Sequence, residues 1–207
     1  TSMKIRRKHL FLLRSISLCG ILDIFHCVQL NSYYQKLDTV RDEIYYIGQE
    51  ISLGENNIGG SMQANGYSIR VNGLKIADTK DYIEKNNISL EGRGSSLSER
   101  LALVPVTVRN VNSNDTGVPV LLFELYGIDF YAAVDFELFY SLNPDVESAT
   151  WGIFVPQGSE QEILIPFRLD RDEFNSHTWN RLDHYHFSVL LTMGPARIIV
   201  RLEEVNR

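Results

Sequence analysis

The residues best placed for metal chemistry are His184 and His186, an i, i+2 pair that a β-strand would turn to one face, where two imidazoles can share a cation. No third ligand stands at a diagnostic spacing, and Asp183 would point the other way in a regular strand. Solvent exposure opposite the Tyr185, Phe187 and Val189 stripe is therefore expected. The run Asp170-Arg171-Asp172-Glu173, with Asn175 and His177, offers oxygen ligands of the kind calcium takes, but lacks the EF-hand spacing and its terminal acid. It reads as a solvated loop between strands. Asp135 and Glu137 would share an outward strand face as paired carboxylates, with no sign of the pocket that shifts a catalytic pKa. Gly92-Arg93-Gly94-Ser95-Ser96 has the glycine content of a phosphate loop without its Gly-Lys-Ser/Thr, and no Gly-x-Ser-x-Gly elbow occurs. No catalytic, metal-ligating or cofactor-binding residue is assigned, no cofactor is expected, and the chain reads as a non-enzyme. A metal-dependent hydrolase on the same scaffold is the rival from another class.

Aromatic residues are the stronger lead. Tyr126, Phe130, Tyr131, Phe139, Tyr140 and Trp151 crowd the middle of the chain, more than one inward-facing stripe can use. Most are expected in the core, and an exposed subset would mark a contact surface.

The elements that must carry these residues divide by charge. Within a net charge of −6 over 207 residues, Lys4, Arg6, Arg7, Lys8 and Arg14 against Asp23 make residues 1–30 +4, which leaves −10 for the rest. Nucleic acid is not an expected partner, because phosphate contacts need clustered Lys and Arg and none follow the leader. Cys19 and Cys27 both lie in that leader. On a helix rising ~1.5 Å per residue they would sit roughly 12 Å apart, beyond disulfide reach, and the acidic part has no thiol.

Residues 3–30 read as a signal anchor: Met3 as the start, Lys4 to Lys8 as a positive n-region, then an apolar run to Leu30 interrupted by Arg14, Asp23, His26 and Gln29. A cleaved signal and a helix buried in the core are the weaker readings. The positive-inside rule keeps the basic end in the cytoplasm, so the expectation is a single-pass cell-membrane protein with its C-terminal domain extracellular. Asp23, His26 and Cys27 share one face that would suit a second membrane helix. Residues 31–46 read as a juxtamembrane helix or stalk, with Tyr34, Leu37, Val40 and Ile44 at helical spacing.

From Ile47 the period changes to two. Stripes run through Tyr67/Ile69/Val71, Ala102/Val104/Val106/Val108, Val134/Phe136/Leu138/Tyr140, Ile163/Ile165/Phe167/Leu169 and Tyr185/Phe187/Val189/Leu191, the last closing as a hairpin onto Ile198/Val200/Leu202. Asp78 to Lys85 reads as a helical insertion and residues 86–99 as a polar loop. Pro105 and Pro166 place their strands at edges or bulges. The predicted fold class is all-β, an immunoglobulin-like antiparallel β-sandwich over 47–207 preceded by an N-terminal hydrophobic signal-anchor helix.

Six segments in this order resemble a family of uncharacterised small exported, membrane-anchored proteins of Gram-positive bacteria, a domain-of-unknown-function group with an immunoglobulin-like β-sandwich. They are Ile47 to Leu53, Asn65 to Asn72, Val106 to Asn110, Leu138 to Pro144, Trp151 to Pro156 and Leu190 to Pro195, within a stretch from Ile47 to Leu202. The resemblance implies a membrane-tethered extracytoplasmic sandwich with no family catalytic residues to carry over; Arg14 and Asp23 depart from the smoother leaders of that group. The expected function is binding of another cell-envelope or membrane protein. A module for cell-wall sugar or peptide is the alternative, told apart by an exposed aromatic groove rather than a flat patch.

Overall fold

In the computed structural model, residues 40–88, 98–112, 117–128 and 130–203 are described. The expected signal anchor at 3–30, its two cysteines and the glycine-containing run Gly92 to Ser96 lie outside these residues. Among the described residues no helix is long and apolar enough to cross a membrane.

Strand β7 (Arg100–Asn110) runs through the middle of one five-stranded sheet. Val104, Val106 and Val108 are fully buried, and the β-branched alternation expected there is the reason this segment is extended. Along one side β7 pairs with β12 (Glu160–Leu169) over its whole length. Along the other it is shared end to end by β5 (Tyr67–Val71) and β6 (Lys75–Asp78), and β2 (Glu50–Ser52) pairs outside β5. Pro105 thus sits in a central strand, not at an edge as expected. Its C=O accepts from Asn72 N–H at 2.8 Å, which turns its hydrogen-less nitrogen towards the gap between β5 and β6. No ladder bond is lost there. Pro166 does lie on the outer strand β12, where the prediction put it.

The second sheet has the order β1-β14-β13-β8-β9, built from Arg41–Tyr46, Ala196–Arg201, Ser188–Leu190, Glu124–Tyr126 and Tyr131–Ala133. The C-terminal hairpin β13–β14 is as expected. The helix expected over 31–46 is corrected in its last six residues: Arg41–Tyr46 pair in parallel with β14, Asp42 opposite Arg197 and Ile44 opposite Ile199. Strand period turns Tyr45 onto the core and leaves Ile44 48 % exposed, opposite to the helical stripe. That parallel pair also departs from the wholly antiparallel arrangement predicted.

Buried residues of both sheets merge into one apolar cluster that takes in Ile69, Val106, Ile165, Leu125, Val189 and Val200. Two small hairpins, β3–β4 (Asn57–Gly59 and Met62–Gln63) and β10–β11 (Glu147–Ala149 and Gly152–Phe154), lie outside the sheets. Gly152 is required by close approach: a Cβ there would stand 1.9 Å from the Val118 carbonyl oxygen.

Among the described residues there are three short α-helices, and each starts on an Asx side chain that accepts a backbone N–H of the first turn. Asp78 caps α1 (Thr79–Lys85), the predicted insertion; Asp135 caps α2 (Phe136–Leu142); Asn175 caps α3 (Ser176–Trp179). Helix α2 replaces the strand predicted through Val134, Phe136, Leu138 and Tyr140. Its buried residues are Leu138 and Phe139, neighbours that a strand would send to opposite faces, while Phe136 is 60 % exposed.

Candidate functional site

The two sheets meet where the chain leaves β9. Val134 bridges Phe167 of β12, and Asp135 N–H donates to the Pro166 carbonyl at 2.9 Å, so the end of β9 is stitched to the outer edge of β12. Beside this corner lies a cleft of 460 Å³ lined by Tyr131 to Phe136, Arg168, Asp170 and Glu173.

Its floor is polar and ordered. The buried Asp135 carboxylate accepts Arg168 Nε at 2.8 Å on one oxygen and Leu138 N–H at 3.0 Å on the other, so one side chain caps α2 and ties it to β12. The paired-carboxylate reading of Asp135 and Glu137 is thereby corrected: helix geometry separates them, Asp135 turning inward and Glu137 lying in the first turn of α2. Asp170 and Glu173 come from the acidic run predicted as a solvated loop, whose residues 171–173 form a 3-10 turn. Partial burial, and then the Asp170 charge, push the Glu173 carboxyl above its ordinary range. Asn175, offered as an oxygen ligand, instead caps a helix: its side-chain oxygen accepts Thr178 N–H at 2.9 Å.

The rim is aromatic. Tyr131, 65 % exposed on β9, and Phe136, which opens α2, line the cleft; outside the lining, Ile128 is 76 % exposed at the tip of the β8–β9 hairpin. Tyr126 stands opposite Tyr131 with ring centroids 6.2 Å apart. Burial and a hydrogen bond to the Glu124 carboxylate push the Tyr126 hydroxyl up to about 12, so it is a neutral donor at any ordinary pH. Beneath the hairpin an aromatic stack fixes its position: Phe130 meets Phe174 at 4.6 Å and Phe187 edge-on at 5.7 Å, and the Tyr185 hydroxyl accepts Ile128 N–H at 2.8 Å. Gly127 leaves room for that stack, since a Cβ there would fall 2.4 Å from the Tyr185 ring.

Of the six aromatics singled out in the sequence, Phe139 is in the core and Phe130 and Tyr140 are packed against it; Tyr126, Tyr131 and Trp151 are exposed. Trp151 also holds a left-handed backbone, φ 59°, in the two-residue turn of β10–β11. Ile128 escaped sequence reasoning, and Phe136, expected in a strand stripe, is instead 60 % exposed on α2. The available signal was Asp135, an N-cap residue directly before an apolar run.

His184 and His186 do not share a strand. His184 ends a 3-10 turn, Leu182–His184, and His186 Nδ1 approaches Glu203 Oε1 at 3.1 Å. Among the described residues no three His, Cys, Asp or Glu side chains are grouped to hold a metal ion.

No curated protein matches the chain. Among solved structures it is similar to an uncharacterised β-sandwich protein from Clostridium difficile 630, at 10 % identity and a TM-score of 0.39, over 79 % of this chain and 96 % of that one. Residues 42–198 match the DUF5028 domain of unknown function, a span that runs from β1 into β14 and encloses the whole corner just described. The chain belongs to the DUF5028 family, a domain-of-unknown-function group.

Proposed function

We propose that this domain is a non-enzymatic, immunoglobulin-like binding module, held outside a Gram-positive cell by the anchor read at residues 3–30, that engages another protein of the cell envelope or membrane. The observation that carries the reading is the concentration of exposed apolar side chains at one corner. Tyr131 and Phe136 line a cleft, and exposed Tyr126 and Ile128 stand on the same β8–β9 hairpin as Tyr131, on a domain whose sequence is acidic. Aromatic side chains held out by a rigid stack lose little entropy on binding, and such patches are where soluble domains meet partners. Two sheets around one core support the immunoglobulin-like outline.

The test is site-specific photocrosslinking in intact cells, with the reactive group at Tyr131 or Phe136 and a control at exposed Lys80 on α1. One discrete adduct from the corner positions and none from Lys80 is the expected result. Equal labelling from all three sites overturns the proposal. Protease accessibility in intact cells, against lysed cells, tests the orientation.

A second reading is favoured by one feature: two exposed rings, Tyr131 and Phe136, line a cleft that holds carboxylates. That arrangement suits a cell-wall sugar or peptide, and competition of the crosslink by soluble wall fragments would select it.

A further inference from the structure

An edge strand is a template for another strand unless its backbone groups are covered. The outer edge of β12 is covered at Leu164 and Pro166. The Asn143 side chain accepts Leu164 N–H at 2.8 Å and donates to the Leu164 carbonyl at 2.9 Å, and two residues on the Pro166 carbonyl takes Asp135 N–H. An amide side chain thus stands in for a neighbouring strand.

Strand β9 is treated differently. Gly127 N–H donates to the Phe130 carbonyl at 2.9 Å, so residues 127 and 130 face each other across the ladder. In an antiparallel pair the exchanging positions alternate, which makes Leu125 and Ala132 the next exchanging pair. The N–H and C=O of Tyr131, and the N–H of Ala133, consequently point away from β8, to the side where the cleft lies. The lining of the cleft takes in β9 residues Tyr131 to Ala133 together with Asp135, Arg168, Asp170 and Glu173.

The charges choose the occupant. Asp135 and Arg168 neutralise one another, which leaves two carboxylates in the cleft, on a domain that is itself acidic. We propose that the partner presents an extended peptide segment carrying lysine or arginine, which adds as a further strand along the cleft side of β9 at Tyr131 to Ala133, before the bridge of Val134 to β12, and sets its cationic side chains against Asp170 and Glu173. Main-chain bonds to β9 supply affinity, and alternate side chains meeting Tyr131 and the two carboxylates supply selectivity. This deepens the protein-binding reading above and rests on it.

The test uses the full chain and a short acetylated peptide alternating valine and lysine, read by fluorescence anisotropy. Two further probes are its glutamate counterpart and the lysine peptide N-methylated on alternate residues, one version for each register. The lysine peptide is expected to bind, the glutamate peptide to bind at least tenfold more weakly, and one N-methylated version to lose binding, since methylation deletes the donors that a strand pair needs. The Asp170→Asn/Glu173→Gln double variant should weaken the lysine peptide at least tenfold, and Glu160→Gln, elsewhere on β12, should leave it unchanged. Ala133→Pro removes an edge donor without touching the β8 ladder and should weaken it similarly, with its fold checked by melting temperature. Equal binding of the lysine and glutamate peptides, full binding by both N-methylated versions, or no binding overturns strand addition. Failure of this inference alone is recognisable: the cellular crosslink from Tyr131 would survive in Ala133→Pro. Loss of every corner-specific crosslink in the unaltered chain would instead remove the protein-binding reading.

Discussion

Arg168 Nε lies 2.8 Å from Asp135 Oδ2, and the other oxygen of the same carboxylate accepts Leu138 N–H, so one buried side chain joins an edge strand to a helix start. Asp135→Ala removes the cap and the ion pair together. A loss of about 1–3 kcal/mol is expected in urea unfolding. Asp135→Asn keeps a capping oxygen and should lose clearly less, because Arg168 is 41 % exposed and can be rehydrated. Equal losses would show that the cap contributes nothing.

Asn143 makes three bonds from one amide, to the Phe139 carbonyl at 2.7 Å and to both backbone groups of Leu164. Asn143→Leu leaves Leu164 N–H and C=O without their cover, and a destabilisation of about 2–3 kcal/mol follows. The same variant exposes the β12 edge, so concentration-dependent light scattering should rise with the unfolding midpoint's fall.

Gly152→Ala forces a methyl group against backbone, with the Val118 oxygen at 1.9 Å and Val120 nitrogen at 2.7 Å. Backbone cannot swing aside as a side chain does. The expected cost is at least about 1–3 kcal/mol, seen as a lowered melting temperature. Gly158→Ala probes a different cause, a φ of 78° with open space around the added methyl, and should cost less.

Across the parallel β1–β14 pair, Arg197 donates from Nε and Nη2 to the two oxygens of Asp42, both at 2.8 Å. The hydrogen bond from Arg197, and then its charge, hold the Asp42 carboxyl below its ordinary range. A carboxyl depressed in the folded state contributes stability that is present above its unfolded pKa and lost as pH falls through the folded value. The melting-temperature gap between the unaltered chain and Asp42→Asn should therefore be constant above about pH 5 and close below about pH 4. High salt should narrow it as well, since the pair is at the surface. A gap that persists at pH 2 would show that Asp42 acts without its charge.

Residues whose periodicity agreed with their burial were legible in the sequence. Val104, Val106 and Val108 read as strand and are strand; Ile163 to Leu169 likewise; Asp78 to Lys85 read as helix and is one. The misread segments are those where two periods fit the same letters. Val134 to Tyr140 alternates apolar and mixed residues, yet Asp135 supplies a helix cap, and α2 buries adjacent Leu138 and Phe139. Arg41 to Tyr46 carries helical spacing, yet a parallel partner 155 residues away from Asp42 pulls it into a sheet. Local pattern is silent about a partner so distant.

The sequence by itself determined the β character of the domain, its acidic surface and the surplus of aromatic residues in the middle of the chain, because composition and short-range alternation follow from covalent order alone. Only the tertiary structure decided that Tyr131, Phe136, Asp170 and Glu173 line one cleft, and that β12 is covered at Leu164 and Pro166 while β9 faces the cleft. Those relations join residues tens of positions apart, and they exist only once two sheets have packed on a common core and fixed which strand edges meet.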